Sequence, residues 1–264
     1  MTTEPNRRLR ARSVATWIFC SLVGGAGTTV VFGQGSPMRE ARQADIHGAD
    51  RSGPRTVNAA TAAQLAAAME IPAANIVSAS IGTSDPDGVG VGTTPLGRYF
   101  PRQGGTFAII STGAAAAADT PDSAGNTGTV LNGLDSPAGH DMVQLRLVLA
   151  PPPGAQCLGF DFAFFSEEFP EYVGSAFNDV FLAELGGSNF TMVGNTVIAP
   201  NNFAVDPVGS QISVNNLFGV TSGTRSTYDG GTSVLRAMAP LPATAFPTVE
   251  LVLTILDQGD SIYD

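Results

Sequence analysis

The residues of this chain whose types and spacing could do chemistry are carboxylates, and they gather in two places. Ser166-Glu167-Glu168-Phe169-Pro170-Glu171 leads on to Asn178-Asp179, and a second group, Asp257-Gln258-Gly259-Asp260 with Asp264, lies at the far end of the sequence. Oxygen ligands distributed through loops suit calcium, a hard cation that takes about six to eight of them with help from carbonyls and Asn side chains. Glu167, Glu168, Asp179, Asp257 and Asp260 form the candidate calcium set. A second chemistry is glycan hydrolysis by two carboxylates, about 5–5.5 Å apart for retention or about 6.5–9.5 Å apart for inversion. A third reading is structural, with each carboxylate accepting backbone N–H bonds and shaping a turn. Glu167 and Glu168 are neighbours at the end of an apolar run. In extended backbone they point to opposite faces, and they share a site only through a bulge.

Other chemistries are poorly provided for. The sequence holds two histidines, His47 and His140, and no nucleophile elbow, phosphate-cradling loop, zinc-ligand spacing or Ser-His-Asp pattern. Glycine-rich stretches such as 87–92 open no helix and read as turns. The chain is therefore expected to be non-enzymatic, with a carboxylate-dependent hydrolase as the alternative.

The elements that must position these acids are short apolar strands. Phe160 to Phe165 and Asp179 to Leu185 flank the first acidic group, and Phe160, Phe162 and Phe164 share one face, expected to point inward. Met142 to Ala150 alternates cleanly, with Val143, Leu145, Leu147 and Leu149 on one face and Gln144 and Arg146 on the other. Thr248 to Leu256, apolar on both faces, reads as a central strand running straight into the second acidic group. Further strands are expected at Ile76 to Ile81, Thr106 to Ser111, Thr191 to Val193, Thr196 to Ile198 and Gln211 to Val214, with a long loop over 114–140. One short helix, capped by Asn58 or Thr61, runs to about Glu70, with Leu65 and Met69 on one face and Pro72 beyond its end. These elements predict an all-β fold, two antiparallel sheets in a jelly-roll-like sandwich with one short N-terminal helix.

Gly (31) and Pro (18) are abundant and charged residues sparse, a composition that suits many short strands joined by turns. Residues 1–33 read as a signal peptide: Arg7, Arg8, Arg10 and Arg12 precede an uncharged apolar run, with cleavage expected after Gly33 and a retained N-terminal anchor as the alternative. Removing it leaves nine arginines against twenty-two acids, a net charge of about −13 in place of −10. That surface repels nucleic acid and anionic membrane. Residues 34–55, polar and without periodicity, read as a flexible leader. Cys20 leaves with the signal, so the mature domain keeps one cysteine, Cys157, which cannot close an intramolecular disulfide and reads as a small buried hydrophobe.

Two long motifs resemble one family. Phe164-Phe165-Ser166-Glu167-Glu168-Phe169-Pro170-Glu171-Tyr172-Val173 with Phe177-Asn178-Asp179-Val180-Phe181, and Asp257-Gln-Gly-Asp260-Ser261-Ile262-Tyr263-Asp264, are similar in order and separation to the choice-of-anchor L domain of bacterial surface proteins. The resemblance covers about 56–264. It implies an exported, β-rich, adhesion-like domain held at the cell surface by one of several C-terminal anchors, and it brings no catalytic residues with it. It also implies a further apolar strand and an anchoring tail after Asp264, so the sequence is expected to be a fragment lacking both. Many members carry a cysteine shortly before the late strand. Here those positions read Pro242-Ala243-Thr244-Ala245, and a family disulfide to Cys157 is not expected. The resulting expectation is a secreted or cell-surface binding module, calcium-stabilised, for an extracellular glycan or protein ligand. A purely structural coat or matrix domain is the remaining alternative.

Overall fold

The structure is a computed structural model that describes residues 39–40, 57–83, 85–93, 95–96, 101, 104–118, 131, 134–136, 139–193, 196–216, 218–222, 226, 228–242 and 245–259. The expected signal peptide, most of the expected leader, and Asp260 to Asp264 lie outside these residues. Within the leader, β1 (Arg39–Glu40) pairs antiparallel with a late strand, Arg39 opposite Arg236.

From residue 57 the chain gives β2 (Val57–Ala59), α1 (Ala62–Ala68), β3 (Ile76–Gly82), β4 (Val89–Gly92), β5 (Phe107–Ile110), β6 (Leu134–Ser136) and β7 (Gly139–Leu149). Then come β8 (Cys157–Phe162), β9 (Phe165–Ser166), β10 (Val180–Leu185), β11 (Thr191–Val193), β12 (Thr196–Ile198), β13 (Ile212–Ser213), β14 (Val220–Ser222), β15 (Gly230–Thr232), β16 (Leu235–Pro240) and β17 (Val249–Asp257). The fold is β-rich with one α-helix among the described residues, as expected. Among the described residues the strands divide into five antiparallel sheets where the sequence suggests two: β13-β10-β17-β7-β3 with β6 on β7, β1-β16-β8, β2-β4-β5, β14-β15-β9 and β11-β12.

The helix follows from its cap. Gln64 N–H donates to Thr61 Oγ1 (3.3 Å) and Thr61 N–H donates to Gln64 Oε1 (2.8 Å), a reciprocal box that satisfies two of the N–H groups a helix start leaves open. Thr61, not Asn58, is therefore the cap. Leu65 and Ala66 are fully buried against the sheets, and Met69 packs beside them half-buried. A helix of seven residues is held by this docking, since propensity alone does not sustain one so short.

The six-stranded sheet is built on β17, which pairs with β10 on one side and β7 on the other, Leu253 lying opposite both Ala183 and Leu145. That is the central position its apolar faces predict. Val143, Leu145, Leu147 and Leu149 are all at 0% exposure in the main core, together with Phe160, Phe162 and Phe164. On the opposite face of β7, Gln144 donates to Thr254 Oγ1 and Arg146 pairs with Glu250. β7 starts three residues before the expected Met142, because a bulge hides its beginning. Ile255 faces Val143 but Asp257 faces His140, so β7 carries one extra residue there. Asp141, at φ +46°, lies within it. The expected loop over 114–140 also contains β6, whose Leu134 pairs with Met142.

β8 and β16 are joined across the ladder by Arg236, which donates to both carboxylate oxygens of Asp161 at 2.6 and 2.8 Å. That bond holds the guanidinium pKa above its ordinary value, against the opposing effect of partial burial. Cys157 opens β8 half-buried opposite Pro240, not in the core, because the first residue of the strand lies at the sheet's end.

Candidate functional site

The ends of β9, β10 and β17 meet at one corner. β9 ends at Ser166, the chain makes a tight excursion over 167–179, and β10 begins at Val180. Tyr172 N–H donates to the Glu168 carbonyl (3.0 Å) and Ser175 N–H to the Tyr172 carbonyl (2.9 Å), closing successive turns. Asn215 braces the excursion from outside: its side chain donates to the Ser175 carbonyl (3.0 Å) and accepts from Gly174 N–H. The second acidic motif is clamped to the first where Asn178 N–H donates to the Gln258 carbonyl (3.0 Å). Gly259 completes the clamp at φ +114°, and a Cβ placed on it lies 2.8 Å from the Ala176 carbonyl oxygen. The backbone admits only glycine there without displacement.

Within this corner Glu168, Asp179 and Asp257 converge. One carboxylate oxygen from each lies within 4.8 Å of the other two, and the residues are 1%, 2% and 0% exposed. Asp179 Oδ2 accepts from Ser166 Oγ (2.7 Å), Ser166 Oγ accepts from Glu168 N–H (3.0 Å), and Glu168 Oε2 accepts from Asp179 N–H (3.2 Å). The ring Ser166–Asp179–Glu168 thus fixes two of the three carboxylates before any ligand is considered. Asp257 reaches them from the other motif, at the bulge that sets it opposite His140.

The structure therefore unites three of the five expected site residues. Glu167 is buried, at 2%, but stands outside the group; β9 ends at Ser166, so the two glutamates lie in the bend after the strand and are parted there, not by strand alternation. Asp260 lies outside the described residues. Glu171 is exposed on the excursion and takes no part. Ser166, His140 and the bulge at Asp141 are components that sequence reasoning did not assign. For Ser166 the signal was present, since a hydroxyl two residues before a strand-end carboxylate is placed to bond that residue's amide.

Three carboxylates brought this close and away from water repel one another, a burden that a proton or a cation placed among them relieves. Oxygen donors alone, drawn from a turn and a strand end, are a donor set suited to a hard divalent ion. On its inner side the corner adjoins a largely apolar cavity of about 220 Å³, to whose lining Asp179 contributes.

The molecule is thus a β-rich antiparallel domain whose two acidic motifs, far apart in sequence, are brought into one buried corner. The family model of the choice-of-anchor L domain matches residues 56–264, and the chain belongs to that family. Membership makes it a surface-associated module of an exported protein. No curated protein and no solved structure matches it.

Proposed function

We propose that the chain is a non-enzymatic, adhesion-like binding module displayed at the cell surface, folded as a two-layer jelly-roll-like sandwich and closed at one end by calcium. Glu168, Asp179 and Asp257 hold the ion, with Asp260, two residues beyond the clamp at Gln258, as a further ligand. The observation that carries the reading is the convergence of three buried carboxylates from both motifs within 4.8 Å. The cation neutralises a charge cluster that the fold has otherwise placed in its own interior. Burial to 2% or less, with Glu168 and Asp179 tied to an amide and a hydroxyl, supports a holding role over attack on a sugar, which needs carboxylates flanking an open cleft. The ligand of the module is an extracellular glycan or protein, and the strongly acidic surface disfavours nucleic acid.

Thermal unfolding with millimolar calcium against a chelator tests the cation. A midpoint raised by calcium is expected by mass action, with Glu171→Gln retaining the shift. An identical midpoint in both conditions removes calcium from the account.

A further inference from the structure

Among the described residues β3 is the longest strand to close a sheet, with seven residues at the end of β13-β10-β17-β7-β3. Which of its backbone groups face β7 follows from bonds farther in. Gly186 N–H donates to the Glu250 carbonyl (2.8 Å), so on β17 the even-numbered residues bond toward β10 and the odd-numbered ones toward β7. Leu251 and Leu253 lie opposite Leu147 and Leu145, which leaves Val148, Arg146 and Gln144 to bond toward β3, where they face Ser78, Ser80 and Gly82. Ala150 N–H, which donates to the Asn75 carbonyl (2.9 Å), keeps the same alternation. Ala79 and Ile81 therefore turn both N–H and C=O away from β7, and among the described residues no strand pairs with β3 on that side.

Exposed sheet edges are ordinarily blunted by charge, proline, a bulge or brevity. β3 has only the bulge. It lies between Ile76 and Ser78 and distorts the start of the strand, where Val77 is 58% exposed, while Ser78 to Gly82 runs regularly beyond it. From Ala73 to Ser84 the sequence holds neither a charge nor a proline. Ser78 and Ser80 are exposed on the outer face. Ala79 and Ile81 lie opposite Leu147 and Leu145 and pack on the core, but they are only half-buried, as apolar side chains with no strand beyond them are.

We propose that β3 is a self-association edge, on which the β3 of a second copy pairs antiparallel about a two-fold axis at Ile81. An axis there sets Ile81 opposite Ile81 and, by continued alternation, Ala79 opposite Thr83, so that outward-facing residues meet outward-facing ones and the bulge is left clear. The two six-stranded sheets become one, and the half-buried Ala79 and Ile81 gain cover from their counterparts. The occupant follows from charge: the sequence carries a net charge of −10, so two copies approach with least repulsion along a stretch that has none. Pairing along a single edge falls at the small end of interface sizes, so the dimer is transient, with a dissociation constant of about 0.1–1 mM. Neither the cation nor the binding reading is needed for it.

Sedimentation and amide hydrogen exchange of the full chain test the pairing. The Ala79 and Ile81 amides are expected to exchange about two- to fivefold more slowly at about 1 mM protein than at about 10 µM, in step with a sedimenting dimer. Those of Ser78, Ser80 and Gly82, bonded to β7, stay equally protected at both concentrations. Ala79→Pro removes an outward N–H, the position at which an edge strand accepts proline, so the variant is expected to keep its fold and to sediment as a monomer. A chain that is monomeric at about 1 mM overturns the proposal, as does a dimer in which the Ala79 and Ile81 amides gain no protection. A dimer that Ala79→Pro leaves intact overturns it as well, because the contact then lies on another surface. Should the variant fail to fold, the alternation of protection in the parent decides the question by itself.

Discussion

Replacing Asp257 by Asn separates a cation-holding corner from a proton-sharing one by the sign of its effect. At 4.8 Å and an effective dielectric of about 20, each pair of ionised carboxylates repels by about 3 kcal/mol, so Asp257 contributes two such terms. Without a cation, escaping part of that by protonating one carboxylate at pH 7 costs about 4 kcal/mol from an ordinary pKa near 4. In chelator, Asn at 257 removes that burden at nearly constant shape, and the variant is expected to be more stable than the parent by about 1–4 kcal/mol. With calcium at a hundred times its dissociation constant the parent gains about 2.7 kcal/mol, which the variant largely forfeits. For a domain of this size that gain is worth about 5–10 °C in the midpoint. Urea unfolding of both proteins, each with calcium and with chelator, gives the four stabilities needed. The expected result is Asn above Asp in chelator and a gap that narrows or reverses in calcium. Asn below Asp by the same margin in both conditions would falsify the electrostatic reasoning, because it would mean that Asp257 is held by fixed hydrogen bonds that neither state relieves.

Three further changes probe the parts that position the corner. Gly259→Ala forces a side chain against the Ala176 carbonyl at a left-handed φ, and a loss of about 1–3 kcal/mol is expected in chemical denaturation. Ser166→Ala removes a donor to Asp179 and an acceptor for the Glu168 amide; about 1.5–3 kcal/mol should be lost, and any calcium-dependent shift should shrink with it. Thr61→Ala breaks the helix cap, which shares no bond with the acid ring, so it should cost about 1 kcal/mol in the same assay and leave the calcium response intact.

Much of the scaffold was legible because alternation along a strand is a local property. The four inward residues of β7 follow from their spacing alone, as does the doubly covered β17 from its apolar faces, and both meet that expectation at or near zero exposure. Pairing was not: β10 binds β17 across some seventy residues of chain, and nothing in either run names its partner. Strands of two residues such as β9 and β13 carry no period at all. The bulge that sets His140 opposite Asp257 disguised the start of β7, because an extra residue inverts the alternation from which strands are read. Ser166 carried a local signal toward the Glu168 amide, but its bond to Asp179 depends on a long-range approach that local spacing does not name.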